Sequence, residues 1–156
     1  MKLKNSDLEA MMSHRGYQKF FNAEFSDIVL VLEIRRQNED LQPALKAYIA
    51  AKKVLAERYC DKDEKEKPLM GANGEYRFAQ NPGNLQEFRD QFNILLDVEV
   101  DVDTVEVKVS RSALSSVAKW SGADMSIIYP FIKICEDAET GSNKKKKDLR
   151  LVQKED

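Results

Sequence analysis

The fold of this chain is decided between Asn84 and Val109, where the sequence reads NLQEFRDQFNILLDVEVDVDTVEVKV. Its first half carries apolar residues at helical spacing, with Phe88, Phe92 and Leu95 on one face. Its second half alternates apolar and acidic residues, which is typical of a half-buried strand. The passage therefore predicts a helix, capped by Asn84, that runs directly into a strand.

The alternating half shifts its phase near Asp103-Thr104. Valine occupies every second position on both sides, but one extra residue separates the two runs. An extra residue in a period-two pattern indicates either a turn between two strands or a β-bulge. We predict a β-hairpin here, with a single bulged strand as the alternative. A second small hairpin, or a tight turned loop, is predicted at Asn73-Gly74, because both central residues of such a turn need positive φ.

Two long segments with helical periodicity precede this passage. They cover residues 17–36 and 41–59, and the polar residues 37–40 lie between them. Pro43 suits the first turn of a new helix, so the segments predict a long antiparallel helical hairpin. The second segment is apolar over two adjoining faces, and one of them is a candidate self-association surface. This face comprises Leu41, Leu45, Tyr48, Leu55 and Tyr59.

Two capped helices are predicted after the strands. Ser110 caps the first, and Ser121 begins a second that extends to Cys135, with a kink at Pro130. The predicted fold class is therefore α+β and mainly helical. It comprises the long antiparallel helical hairpin, one or two small β-hairpins and the C-terminal helices.

The composition limits the class of protein. Charged residues make up 33 % of the chain and the formal net charge is −2, which gives no global electrostatic case for nucleic-acid binding. No apolar run approaches the length of a membrane span, and no secretory signal is recognisable. Cys60 and Cys135 belong to no metal-spaced motif, which favours a reduced, intracellular setting with buried thiols. Residues 1–140 are predicted to form one globular domain, followed by a polar, basic C-terminal tail over 141–156 that contains Lys144–Lys147.

The sequence contains no recognisable catalytic constellation. Any Ser-His-Asp or Cys-His mechanism would have to use His14, the single histidine, and its neighbours in the sequence supply no partner. The glycine pair Gly71 and Gly74 lacks the spacing of a phosphate-binding loop. We therefore predict a protein that is not an enzyme and requires no cofactor or metal.

A row of carboxylates along the predicted strand is the most distinctive chemical feature. Successive members lie about 6.6 Å apart on one strand face, a spacing close to that of phosphates in an extended nucleic-acid strand. The row suits docking to a basic protein surface, or it is the solvated face of an edge strand kept charged against aggregation. Cation binding is disfavoured, because a flat row does not bring oxygens together around one ion. The candidate partner-binding residues are Asp97, Glu99, Asp101 and Asp103.

The order of these features resembles a family of small tailed-bacteriophage proteins of unknown function. The resemblance rests on the basic-apolar start Met1–Lys4, the turn Asn73–Phe78, the helix-to-strand passage Phe88–Val100 and the helix start at Ser121. It covers about residues 1–136. The resemblance implies a phage origin and action in the cytoplasm of a bacterial host, and it supplies no catalytic residues.

These features together favour a non-enzymatic, phage-encoded protein-interaction module. In this hypothesis it modulates or inhibits a host protein, such as a defence protein, by presenting its acidic surface to a basic partner. The alternative is a virion or tail-assembly component that forms a homo-oligomer through the apolar face of residues 41–59. A metal-dependent enzyme is a third hypothesis, supported only by the carboxylates. Neither membrane association nor direct nucleic-acid binding is expected.

Overall fold

A computed structural model describes residues 1–136, which contain six α-helices and two small sheets. The predicted α+β, mainly helical class is therefore confirmed. The helices are α1 (Asn5–Ser13), α2 (Arg15–Phe21), α3 (Ile28–Tyr59), α4 (Pro82–Asp97), α5 (Arg111–Val117) and α6 (Gly122–Ile128). The strands are β1 (Lys2–Lys4), β2 (Glu99–Asp101), β3 (Val107–Ser110) and β4 (Ile132–Cys135). The predicted tail over 141–156 lies outside the described residues.

The longest element, α3, is one continuous helix of 32 residues, so the predicted helical hairpin is wrong. The helix begins after Asp27, whose carboxylate accepts a hydrogen bond from the backbone N–H of Val29 at 2.9 Å. It then continues through residues 37–40 and past Pro43 without a turn. Proline inside a helix costs about 3 kcal/mol, so tertiary contacts must outweigh that cost here.

Gln37 supplies one of those contacts at the middle of α3. Its side chain is 2 % exposed, and its amide donates to the carbonyl of Val105 at 2.9 Å and to that of Phe131 at 2.6 Å. The bond to Phe131 is buried, where a carbonyl without a donor would cost free energy, so it holds the helix against the chain before β4. Within the polar residues 37–40, Gln37 is therefore an anchor inside the protein, whereas Glu39 is exposed.

An antiparallel helix pair does occur, but α4 supplies its second helix. The Lys52 ammonium lies 5.3 Å from the ring centre of Phe92. Closer to the middle of α3, Ala44 and Ala47 lie across a groove from Leu95. Helix α4 therefore runs back along the C-terminal half of α3.

Helix α4 starts earlier than its sequence pattern predicts. Asn81, rather than Asn84, is the cap, and its side chain accepts a hydrogen bond from the backbone N–H of Gly83 at 3.0 Å. Pro82 then occupies the first turn, where its missing N–H has no partner to lose. The proline therefore begins the helix instead of interrupting the chain before it.

The strands pair differently from both sequence-based alternatives at Asp103-Thr104. Strand β2 pairs with β1 in antiparallel fashion, with Val100 opposite Leu3. Strand β3 pairs in parallel with β4, with Val109 opposite Ile134. Because β2 and β3 belong to different sheets, the hairpin and the bulged strand are both wrong. The phase shift instead marks the point where the chain leaves one sheet for the other.

The local predictions at turns and helix caps are largely confirmed. A tight turn forms near Asn73-Gly74 and is closed by a bridge between Met70 and Tyr76, but only Gly74, with φ 79°, has the positive φ expected of both residues. Ser110 caps α5 and Ser121 caps α6. Helix α6 ends at Ile128, however, and the residues from Ile132 to Cys135 form β4 rather than a continued helix. Pro130 lies two residues after the end of α6 and suits the short 3₁₀ turn at that position.

The cap of α6 predicts a pH dependence of stability. The Asp124 carboxylate accepts hydrogen bonds from the backbone N–H of Ser121 and from the Lys19 ammonium, each at 3.0 Å, which lower its pKa from 3.8 to about 2. A carboxyl whose pKa is lower in the folded state stabilises the fold above its unfolded pKa. That contribution is lost as the pH falls through the folded pKa.

We expect the unfolding free energy of the wild type to fall more steeply between pH 4 and pH 2 than that of Asp124→Asn. Urea unfolding of both proteins across this range measures the difference. Parallel pH profiles would show that the Asp124 carboxylate does not contribute.

Candidate functional site

The predicted row of carboxylates, hereafter the acidic row, lies on the exposed surface. It is not a single strand face, however. Asp97 ends α4, Glu99 and Asp101 belong to β2, and Asp103 follows that strand. The sequence therefore identified four accessible carboxylates correctly, but it predicted a longer strand than the one that forms.

The lysines of β1 lie beside the acidic row, with Lys2 opposite Asp101 in the sheet, and Lys4 forms an ion pair at the Asp97 end. Lys4 lies opposite Glu99 in the sheet, and its ammonium contacts the Asp97 carboxylate at 3.1 Å. The hydrogen bond and charge of Asp97 raise the pKa of Lys4. Both side chains are largely exposed, so this ion pair contributes little to stability. Its effect is local, because it lowers the net negative charge near Asp97 and Glu99.

The other end of the row borders a groove of about 600 Å³ between α3 and the segment formed by α4 and β2. The carboxyl-bearing residues of this groove are Asp40 from α3, together with Asp101 and Asp103 from the acidic row. We call it the acidic groove. Its apolar lining includes Pro43, Ala44, Ala47, Ala51, Leu95 and Val98.

Small side chains on α3 leave the acidic groove open. Asp40, Ala44, Ala47 and Ala51 follow a 4-3-4 spacing, which places them on one helical face. The alanines form the second apolar face of the sequence pattern, and methyl groups cannot fill the space between α3 and α4. The opening therefore follows from residue size along one face of α3.

Hydrogen bonds hold the floor of the groove in place. The Tyr48 hydroxyl donates to a carboxylate oxygen of Glu9 at 2.8 Å, and Lys52 donates to the other oxygen at 2.8 Å. Burial, together with the Glu9 charge, raises the pKa of Tyr48, so its hydroxyl keeps its proton at neutral pH. Asn5 donates to the carbonyl of Leu95 at 2.9 Å. These bonds join α1 to α3 and α4, so the groove is a preformed feature.

The predicted self-association face is mostly an internal packing face. Leu41 and Tyr48 are 0 % and 2 % exposed and belong to the hydrophobic core, which removes them from any surface between subunits. Leu45, Leu55 and Tyr59 are partly buried. Leu41 and Tyr48 face other elements of their own chain, so the prediction is wrong for these two residues, and self-association through the other three stays a prediction. The large apolar side chains that α3 exposes lie elsewhere, at Ile28, Val29, Leu32, Ile49 and Val54.

The residues with catalytic potential have structural roles. The His14 ring nitrogen Nδ1 accepts a hydrogen bond from the backbone N–H of Gly16 at 3.0 Å and caps α2. Cys60 and Cys135 are both buried, as predicted, and burial raises the pKa of the Cys60 thiol. Within residues 1–136, His, Cys, Asp and Glu form no group of three or more that could hold a metal ion. No helix in that range is long and apolar enough to cross a bilayer.

No protein-family model, curated protein or solved structure matches this chain. The resemblance to tailed-bacteriophage proteins therefore stays a prediction, and so does the phage origin that it implies. The acidic row and the acidic groove are the candidate functional features of residues 1–136.

The sequence shows the parts of this site but does not show that they lie next to each other. The acidic row and the alanine face of α3 are both visible as periodic patterns. No sequence pattern marks Asp40 as a site residue, because it is one aspartate among several polar residues. Its position beside Asp101 and Asp103 results from the packing of α3 near β2.

Proposed function

We propose that this protein is a non-enzymatic interaction module that binds a basic segment of a partner protein in the acidic groove. The proposal rests on one observation, which is that three carboxyl-bearing residues line a largely apolar groove. Apolar contact supplies most of the free energy of such association, while charge complementarity selects the partner and speeds the encounter. Lysine and arginine side chains with apolar neighbours match both parts of this surface.

Ion pairing differs between the Asp97 end of the acidic row and the end at the acidic groove. Within residues 1–136, ion pairs closer than 4.0 Å engage Asp97 but not Asp40, Asp101 or Asp103. Positive groups are nevertheless near this end, because Lys2 lies opposite Asp101 in the sheet and the N-terminal ammonium donates to the carbonyls of Val102 and Thr104. Carboxylates without an ion-pair partner remain available to a basic partner segment, which would neutralise them.

The biological setting that we propose follows the sequence resemblance. In this setting the protein is encoded by a phage, acts in the bacterial cytoplasm and modulates or inhibits a host protein, such as a defence protein. Many host proteins that handle nucleic acid present basic surfaces, which fit an acidic binding site. The resemblance and the charge of the groove support this setting.

Neutralising the groove tests the proposed function. We expect the tagged wild type to retain a stoichiometric protein from nuclease-treated bacterial lysate at low salt, and to release it as the salt concentration rises. The variant carrying Asp40→Asn, Asp101→Asn and Asp103→Asn should bind that purified partner at least about tenfold more weakly, a loss of about 1.4 kcal/mol. Calorimetric titration of the two purified proteins measures the affinities.

A matched control removes the same number of charges elsewhere. Glu64, Glu66 and Glu75 are exposed and lie outside the acidic groove. Their replacement by Gln should leave the affinity within about twofold of the wild type, because exposed charges distant from a contact have small effects. Equal affinity of the wild type and the groove variant would contradict the proposal. Retention of no partner by a defined homo-oligomer would favour the assembly role instead.

A further inference from the structure

We infer that the acidic groove also receives this chain's own basic segment, Lys144–Val152, which would compete with the partner for the same site. The inference deepens the proposed function by naming a regulator of that groove, and it rests on that function only for its biological consequence. The contact itself involves one chain and is tested without a partner. Residues 137–156 lie outside the described structure, and the support for the contact comes from their sequence and from the position where β4 ends.

Charge complementarity is the first support. The segment begins with four consecutive lysines, Lys144–Lys147, and Arg150 follows after one acidic residue. The groove carries the carboxyl groups of Asp40, Asp101 and Asp103. Opposite charges attract across a Debye length of about 8 Å at physiological ionic strength. The densest run of positive charge in the sequence thus matches a groove whose three carboxylates form no ion pair closer than 4.0 Å with residues 1–136.

The apolar residues of the segment are the second support. Leu149, Leu151 and Val152 lie within five residues of the lysine run, interspersed with Asp148 and Arg150. The groove offers them an apolar wall that includes Leu95 and Val98, the latter 44 % exposed. Burial of apolar surface from both sides is favourable and does not depend on salt in the way that ion pairing does. The segment therefore matches the groove in both of its chemical components.

The length of the chain permits the contact. Cys135 pairs with Ser110 in the β3–β4 sheet. Seven residues of chain connect Ser110 to Asp103 and span at most about 25 Å, and neighbouring strands lie about 5 Å apart. Cys135 is therefore within about 30 Å of Asp103, whereas the twelve residues to Lys147 can span about 40 Å. Tethering at this range gives an effective concentration on the order of millimolar, so even a weak contact would be populated.

The intact chain tests the contact by nuclear magnetic resonance. A variant with all four residues of Lys144–Lys147 replaced by Ser is compared with the wild type. We expect the amide resonances of Ala44, Ala47, Val98 and Asp101 to differ between the two proteins. Added salt should move the wild-type resonances towards those of the variant. Coincident groove resonances at low salt would overturn the inference.

A control variant that replaces three lysines elsewhere tests whether the loss of positive charge alone shifts the groove resonances. Lys62, Lys65 and Lys67 are exposed and lie away from the acidic groove. Their replacement by Ser removes a similar positive charge from the protein. The groove resonances of this control should coincide with those of the wild type. Equal perturbation by both sets of substitutions would attribute the shifts to net charge and overturn the inference.

A peptide experiment then identifies the occupant. A synthetic peptide of residues 141–156 is added to the full-length Lys144–Lys147 serine variant. We expect saturable shifts at the groove residues and at least tenfold weaker binding after Asp40→Asn, Asp101→Asn and Asp103→Asn. Ala47→Trp, which fills the groove from an exposed helical position, should abolish the shifts. Peptide shifts confined to another surface would overturn the inference.

The two proposals fail in different ways. If the peptide does not bind while the basic partner does, the intramolecular contact is wrong and the proposed function stands. If the peptide binds but neutralising the groove does not weaken the partner, the contact stands and the proposed function is wrong. If the wild-type shifts depend on protein concentration, with a dimer in sedimentation, the segment of a second copy fills the groove. That result would overturn the intramolecular form of the inference.

Discussion

Phe131→Ala is expected to lower the free energy of unfolding by about 3–5 kcal/mol, a large share of the 5–15 kcal/mol typical of small domains. Phe131 is 0 % exposed and lies in the 3₁₀ turn between α6 and β4. Its ring meets that of Tyr17 edge-on at 5.0 Å. Truncation would remove this contact and leave a cavity beside Gln37, whose amide donates to the Phe131 carbonyl. Urea unfolding followed by circular dichroism measures the loss.

Tyr129→Ala is the matched control for this prediction. Tyr129 also belongs to the 3₁₀ turn, two residues before Phe131, but it is 54 % exposed. Its truncation should change the unfolding free energy by no more than about 0.5 kcal/mol, as is usual for surface positions. Similar losses for the two variants would contradict the burial assigned to this turn. Such similar losses would agree better with the sequence-based prediction of a helix that continues to Cys135 than with strand β4.

Asp61→Ala is expected to cost about 2–3 kcal/mol, since its carboxylate organises the connection between α3 and α4. Asp61 is 4 % exposed and accepts hydrogen bonds from the backbone N–H groups of Ala79 at 2.7 Å and Gln80 at 3.1 Å. Hydrogen bonds to a charged acceptor contribute about 1.5–3 kcal/mol each, although partial exposure of these N–H groups reduces the sum. Thermal and urea unfolding should both report the loss.

Asp63→Ala is a control of the same residue type. The Asp63 carboxylate likewise accepts two backbone hydrogen bonds, from Lys65 at 2.8 Å and Lys67 at 2.9 Å. Asp63 is exposed, so water can replace the lost acceptor, and the cost should stay below about 1 kcal/mol. A cost for Asp61→Ala as small as that for Asp63→Ala would show that the buried carboxylate is not needed.

These two aspartates differ in a way that their local sequence does not reveal. The mixed charge of the run Asp61–Lys67 is typical of an exposed linker, and its later residues are exposed. Asp61 departs from the pattern because the chain returns at Ala79 and Gln80, eighteen and nineteen residues later. No local property of an aspartate in a charged run reveals such a partner.

The features that the sequence alone determined are those whose cause lies within a few residues. The serine caps at Ser110 and Ser121 act on backbone N–H groups three residues away. Gly74 meets the positive φ of its turn without a steric cost, and the exposed carboxylates of Glu99 and Asp101 follow from the period-two alternation of β2. The mainly helical α+β class follows from periodicities of the same short range.

Only the tertiary structure decided which elements meet. An alternating strand has the same pattern whichever strand it pairs with, so the sequence could not show that β2 joins β1 while β3 joins β4. Helix α3 continues past Pro43 against the local preference, and the Gln37 amide anchors its middle to the carbonyl of Phe131. The acidic groove arises in the same way, because Asp40 and Asp101 are brought to it by packing between elements far apart in the chain. Long-range contacts of this kind carry no signature within a single local segment.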